Sequence, residues 1–234
     1  MGTVAENFRR VQDNIKAAAA SAGRDPDAVR LVTVSKTVSA EVVAEAVMAG
    51  ALILGENRVQ EALDKQSALS GMPGSTAVEW HLIGTLQKNK ARHAVGAFSL
   101  IHSVDGMELA VEIDRRAAKF GLVQDALIEV NIAGEATKHG VEPGEVPGLV
   151  KEVAGLKNIR LTGLMCIPPF TDNPEDSRPH FRALVGLLSE INRAGFDMRE
   201  LSMGMTQDYE VAVEEGATLV RVGTAIFGPR DYVH

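Results

Sequence analysis

The chain contains one cysteine, Cys166, so it can form no internal disulfide and no thiolate metal site, and it fits a reducing compartment. Basic runs are also missing. With a formal net charge of −7 and no long Lys/Arg cluster, neither nucleic acid nor an anionic membrane is an expected partner. Long apolar runs are absent: residues 40–54 are interrupted by Glu45 and are too short to cross a bilayer. The opening Met1-Gly2-Thr3-Val4-Ala5-Glu6 leads into an amphipathic helix rather than an apolar signal core. A cytoplasmic location is the expectation. No His/Asp/Glu cluster has metal-ligand spacing, and no Gly-x-Ser-x-Gly elbow occurs.

What is present points to one architecture. A length of 234 residues, 45% of them apolar, suits a single α/β barrel with a sizeable core. Val4, Phe8, Val11 and Ile15 recur at helical spacing and predict a helix over residues 4–22, ended by Arg24-Asp25-Pro26-Asp27. Short β-rich runs follow at 30–35, 51–54, 79–83, 99–103, 126–131, 160–165, 200–203 and 218–222. Helical patterns lie between most of them. Ser39 with Gly50, and Asp105 with Gly121, mark starts and stops of two helices. Runs such as Leu127-Ile128-Glu129-Val130 suit strands covered on both faces. The expected fold is α/β: a single (β/α)₈ TIM-type barrel over residues 1–234 with an extra N-terminal helix. An open doubly wound sheet needs a Gly-rich turn after its first strand, and Lys36-Thr37-Val38-Ser39 has no glycine.

A barrel places its chemistry just past the carboxyl ends of its strands. Lys36 closes the first apolar run there. Partial burial at that position lowers a lysine's pKa and frees its lone pair for attack on a carbonyl; the plainer alternative is a lysine that flanks the strand and snorkels outward. At the far end, Ser202-Met203-Gly204-Met205-Thr206 and Val222-Gly223-Thr224 each put a glycine beside a hydroxyl. Barrels commonly hold a phosphate between the loops after strands seven and eight, on N–H groups at a helix start. Arg221 lies inside the eighth strand and needs a partner: a carboxylate such as Glu56 or Asp208, or a ligand between Lys36 and the phosphate turns. A lysine, an arginine and a phosphate cradle at one barrel mouth describe a pyridoxal 5′-phosphate site.

With those residues assembled, the chain resembles the pyridoxal phosphate homeostasis protein family, single-domain relatives of the alanine racemase N-terminal barrel. The motifs that carry the resemblance are Leu31 to Lys36, Gly55-Glu56-Asn57-Arg58-Val59-Gln60-Glu61 and His81-Leu82-Ile83-Gly84-Thr85-Leu86-Gln87-Lys88-Asn89-Lys90. Others are Val130-Asn131-Ile132 with Glu135, Lys138, His139 and Gly140, then Gly163-Leu164-Met165, Ser202 to Thr206 with Asp208, and Arg221 to Gly228. The resemblance implies a fold type III barrel with Lys36 as the Schiff-base lysine and Arg221 facing the ring nitrogen. It implies Ser202, Gly204, Met205, Thr206, Gly223 and Thr224 around the phosphate, and Asn57, His81 and Met165 along the ring. Thr206 stands where a serine is more usual, and Arg58 where an aromatic is sometimes found.

An arginine at the ring nitrogen cannot supply the proton that makes the pyridine a strong electron sink. The two tyrosines, Tyr209 and Tyr232, are not placed to act as a second acid–base group. The expectation is therefore a monomeric pyridoxal phosphate carrier in vitamin B6 homeostasis, with PLP-dependent apoenzymes as recipients and no strong catalysis of its own. The alternatives are a weak amino-acid racemase and a cofactor-responsive sensor. Cys166, Met203 and Met205 read as packing, and Lys88, Lys90 and Arg92 as a solvated face. The loop over residues 133–141, with Lys138 and His139, reads as either a lid or a solvated connection.

Overall fold

Thr3 opens the first helix, α1 (Val4–Ser21), in the computed structural model, which describes residues 2–135 and 139–229. Its Oγ1 accepts the Glu6 N–H at 3.2 Å, while Glu6 Oε2 accepts the Thr3 N–H at 2.8 Å. The reciprocal cap satisfies two donors that a helix start otherwise leaves open. The stripe Phe8, Val11 and Ile15 is buried, each side chain contributing roughly 1.5–3 kcal/mol of transfer free energy.

The strands are β1 (Arg30–Val34), β2 (Ile53–Glu56), β3 (Glu79–Leu82), β4 (Leu100–Val104), β5 (Gln124–Val130), β6 (Ile159–Cys166), β7 (Glu200–Ser202) and β8 (Leu219–Val222). Each pairs in parallel with the next, and β8 pairs back onto β1 with Val32 opposite Arg221, which closes the barrel. The connecting helices are α2 (Ala40–Met48), α3 (Val59–Leu69), α4 (Ala91–Ala94), α5 (Met107–Phe120), α6 (Val146–Val153), α7 (Arg178–Arg193) and α8 (Tyr209–Glu214). A short α9 (Thr224–Phe227) follows β8. The expected barrel is thus the observed one. The extra helix α1 packs against α2, α8 and α9, and Asn7 Nδ2 donates to the Ile226 carbonyl at 3.0 Å.

The strand ends lie within about two residues of expectation, and two of the differences bear on local structure. β2 starts at Ile53 and runs on through Gly55 to Glu56, because the Glu56 carboxylate is met inside the fold by Lys65 at 2.6 Å. The residue that caps α5 is Gly106, one past Asp105.

Apolar side chains fill the barrel in two layers. Those between strands and helices form the larger core. Val32, Ile53, Leu100, Leu127, Met165 and Leu219 fill the axis. The amino-terminal rim carries the ion pairs Arg30–Glu200 (2.5 Å) and Arg160–Asp125 (2.6 Å). Where β6 meets β7, the strands approach so closely that a Cβ on Gly163 would lie 1.9 Å from the Glu200 carbonyl oxygen. Gly163→Ala is therefore expected to lose about 3 kcal/mol, roughly 6–12 °C in melting temperature for a chain of this size. A thermal melt at the wild-type temperature would contradict this strand spacing.

Candidate binding site at the carboxyl end of the barrel

A cavity of about 480 Å³ opens at the carboxyl ends of the strands, a volume in the usual range for small-molecule sites. Lys36 enters its wall from the turn after β1. The lysine is half-buried and makes no hydrogen bond or ion pair with the described residues, so its ammonium is left to whatever fills the cavity. Asn57, Met205, Thr206, Arg221, Gly223 and Thr224 line the same space.

The anion cradle forms for local reasons. Gly204 has φ +86°, and a Cβ there would stand 2.5 Å from the Ala212 Cβ, so only glycine lets the chain turn after β7. Beyond it, the N–H groups of Thr206 and Gln207 make no hydrogen bond within the described residues. Neither do those of Thr224 and Ala225 in the first turn of α9. Four donors without internal acceptors at two neighbouring turns suit an anion with several oxygens. Met205 is different: its N–H donates to Asp208 Oδ1 at 2.7 Å and belongs to the turn's own scaffold.

Arg221 reaches the cavity from β8 and is only 4% exposed. No carboxylate lies within ion-pair distance of it among the described residues, so neither Glu56 nor Asp208 is its partner. It donates to Ser202 Oγ and to the Cys166 carbonyl, the latter at 2.9 Å. Burial pulls the guanidinium down from its ordinary value, yet arginine stays charged. A buried cation with donors facing an open cavity favours an acceptor or an anion there.

Behind Arg221 runs a polar chain that fixes proton positions. An arginine can only donate, so Ser202 Oγ accepts from it and turns its own proton toward His102 Nδ1, 2.9 Å away. His102 then carries its proton on Nε2 and donates to His81 Nδ1 at 3.1 Å. His81 in turn presents its Nε2 proton to Glu79 Oε2, 3.7 Å away at the opposite rim. Burial holds both rings neutral. It pushes His81 down to about 3, with Arg30 adding to the effect, and His102 well below its ordinary value, with His81 and Arg221 adding to it.

These placements revise part of the sequence-based site. Lys36, Asn57, Met205, Thr206, Arg221, Gly223 and Thr224 converge on one cavity. His81 does not reach it. Its ring lies inside the barrel beneath the cavity, 1% exposed, because the interior-facing position above it, just past the end of β3, is held by Ile83. Met165 is fully buried in the axial packing, and Ser202 and Gly204 support Arg221 and the turn from behind the wall. His102 is not distinguished by any motif in the sequence, being one histidine in a short buried strand. The rim residues Ile167, Phe170 and Thr171 also line the cavity without any motif to announce them. Cys166 is buried and its thiol is pushed up to about 12 by that burial, which fits a packing role. Lys88, Lys90 and Arg92 are exposed, with Lys88 paired to Glu108. His139 is exposed, while Lys138 and Tyr232 lie outside the described residues.

This barrel, with a lysine after its first strand and an anion cradle after its last two, defines an alanine racemase-type barrel. The family described as Alanine racemase, N-terminal domain, matches residues 7–231. The pyridoxal phosphate homeostasis protein of Aquifex aeolicus is 48% identical over 97% of this chain and 98% of its own. That of Pseudomonas aeruginosa is 44% identical over 99% of this chain and 98% of its own. Among solved structures, PipY of Synechococcus elongatus with PLP bound superposes with a TM-score of 0.80 at 36% identity, covering 92% of this chain and all of the other. A Clostridium difficile alanine racemase shares the fold at 16% identity and a TM-score of 0.73, with 61% of its own length covered. The chain belongs to the pyridoxal phosphate homeostasis protein family.

Proposed function

We propose that this protein binds pyridoxal 5′-phosphate at the barrel mouth, holds it by a reversible covalent bond to Lys36, and serves vitamin B6 homeostasis as a cytoplasmic carrier. The observation that carries the reading is the convergence of three groups on one cavity: an uncommitted lysine amine, a buried guanidinium, and four open backbone donors. When bound, the cofactor supplies an aldehyde electrophile, an acceptor ring nitrogen and a phosphate. Lys36 supplies the nucleophilic amine, Arg221 the donor for the ring nitrogen, and Thr206 and Thr224 hydroxyls beside the phosphate. The relatives' names and the PLP-bound PipY structure support the same reading. All of these groups come from one chain, which supports a monomer as the working unit.

Carriage rather than catalysis is favoured by the ring-nitrogen partner. Arg221 holds its protons, so the pyridine gains little electron-sink strength from it. Tyr209, the described tyrosine, accepts a hydrogen bond from Asn14 of α1 at 3.0 Å and does not line the cavity. Recipients are PLP-dependent apoenzymes that take the cofactor when it leaves the open mouth. The test mixes the loaded protein with a PLP-requiring apoenzyme and follows recovery of that enzyme's activity. In parallel, free amino acids are incubated with the loaded protein in deuterated water. Transfer without Lys36-dependent α-deuteration is expected. Steady α-deuteration that vanishes in Lys36→Ala would make the protein a racemase instead.

A further inference from the structure

A buried ion cluster lies directly behind the turn that bears Lys36. Lys65 of α3 is 6% exposed, and its ammonium donates to the Ser35 carbonyl (2.6 Å), Glu56 Oε1 (2.6 Å) and Glu61 Oε1 (2.7 Å). All three of its protons are used. The same two carboxylates grip the turn directly: Ser35 Oγ donates to Glu56 Oε1 at 2.7 Å, and the Thr37 N–H donates to Glu61 Oε1. The contacts therefore seize the backbone on both sides of Lys36 and leave Lys36 itself untouched.

Three features say that this cluster serves geometry more than stability. Replacing a buried ion pair by apolar residues of like volume is often neutral or stabilising, so the fold has little need of one here. The cluster also holds a strained turn. Thr37 has φ +61°, the one positive value on a non-glycine among the described residues, a conformation costing roughly 1–2 kcal/mol for an L-residue. Its N–H is pinned in that conformation by Glu61. The cluster is also incompletely paired: Glu56 Oε2 is buried with no partner among the described residues, and burial pushes its carboxyl up. Charge retained in such surroundings needs a reason outside packing.

We infer that Glu56, Lys65 and Glu61 form a clamp that sets the position of the Lys36 amine at the cavity, making them positioning residues for covalent capture of the ligand. The inference rests on the proposed covalent role of Lys36 and adds the device that aims it.

The decisive variants are at Glu61, whose side chain is 24% exposed, because Lys65→Met removes the hub and endangers folding. Glu61→Ala deletes the acceptor for the Thr37 N–H, and Glu61→Gln restores an acceptor oxygen. Each full-length protein is titrated with 4-deoxypyridoxine phosphate, which has no aldehyde and reports the cradle alone. Each is then mixed with pyridoxal 5′-phosphate and quenched with borohydride at timed intervals to give the rate of covalent capture.

In Glu61→Ala, capture is expected to slow about tenfold, the scale for a reacting group displaced by a fraction of an ångström. Analogue affinity should stay within about twofold of wild type, and Glu61→Gln should recover most of the rate. A merely structural role would lower both readouts together, and that outcome, or wild-type capture in Glu61→Ala, would overturn the clamp. Capture that survives in Lys36→Ala would overturn the covalent assignment itself, and the clamp with it. The two failures are thus told apart by which variant shows them.

Discussion

Lys36→Ala is expected to fold normally and still bind pyridoxal 5′-phosphate in its cradle, while losing all borohydride-reducible colour and holding the cofactor about a hundredfold less tightly. That factor corresponds to ~2.7 kcal/mol. Folding survives because Lys36 is half-buried and makes no hydrogen bond with the described residues, so truncation leaves no orphaned polar group. Cradle binding survives because the donors of Thr206, Gln207, Thr224 and Ala225 lie in the turns that follow β7 and β8, and Arg221 on β8, not on the lysine turn. The covalent term alone is lost. Equilibrium dialysis, the visible spectrum and a thermal melt on one preparation check the three parts separately. A hundredfold loss accompanied by a lowered melting temperature would instead mark Lys36 as structural.

Acid should destabilise the protein steeply, and the barrel-interior histidines are the reason. In the folded chain His81 titrates at about 3 and His102 well below its ordinary value, both chiefly through burial. In the unfolded chain both titrate near the usual ~6.5. The unfolded state therefore binds more protons over the interval between, so this stability is fully present above about pH 6.5 and is lost as pH falls toward 3. His81 contributes about 1.4 kcal/mol per pH unit once below its unfolded value, so it alone removes roughly 2 kcal/mol between pH 6.5 and 4.5, a sizeable share of the 5–15 kcal/mol typical of a domain, and His102 acts in the same sense. Glu56 and Glu129 act in the opposite sense, since burial pushes both carboxyls up and the folded state takes their protons first. Urea midpoints at half-unit pH steps check the slope. His102→Asn should reduce the proton uptake on unfolding between pH 6 and 5 by about one, and an unchanged slope would show that His102 is already charged in the fold.

Much of this was legible in the chain. Short, near-continuous apolar runs separated by helical spacing placed every strand of the barrel to within a few residues, because parallel strands buried on both faces leave a strong signal. Lys36, Arg221 and the two glycine-hydroxyl turns were readable for the same reason: strand ends are recognisable, and a barrel directs them to one mouth. Depth along the axis was not readable. His81 on β3 and Ile83 just past it both face the barrel interior, and sequence alone does not say which of the two meets the cavity. Nor does it reveal that His102 completes a chain from Ser202 to His81, since that contact joins strands far apart in sequence. Lys65 belongs to no motif that marks it in the sequence. Its burial follows only from the placement of α3 over the turn after β1, which brings Glu56, Glu61 and Ser35 to its ammonium together.

The most direct measurement is a peptide map of the wild-type protein after loading with pyridoxal 5′-phosphate and reduction with borohydride. A single stable phosphopyridoxyl mass is expected on the peptide that carries Lys36, in stoichiometric yield. A reduced adduct spread over surface lysines, or placed on Lys65 or another single lysine, would contradict it.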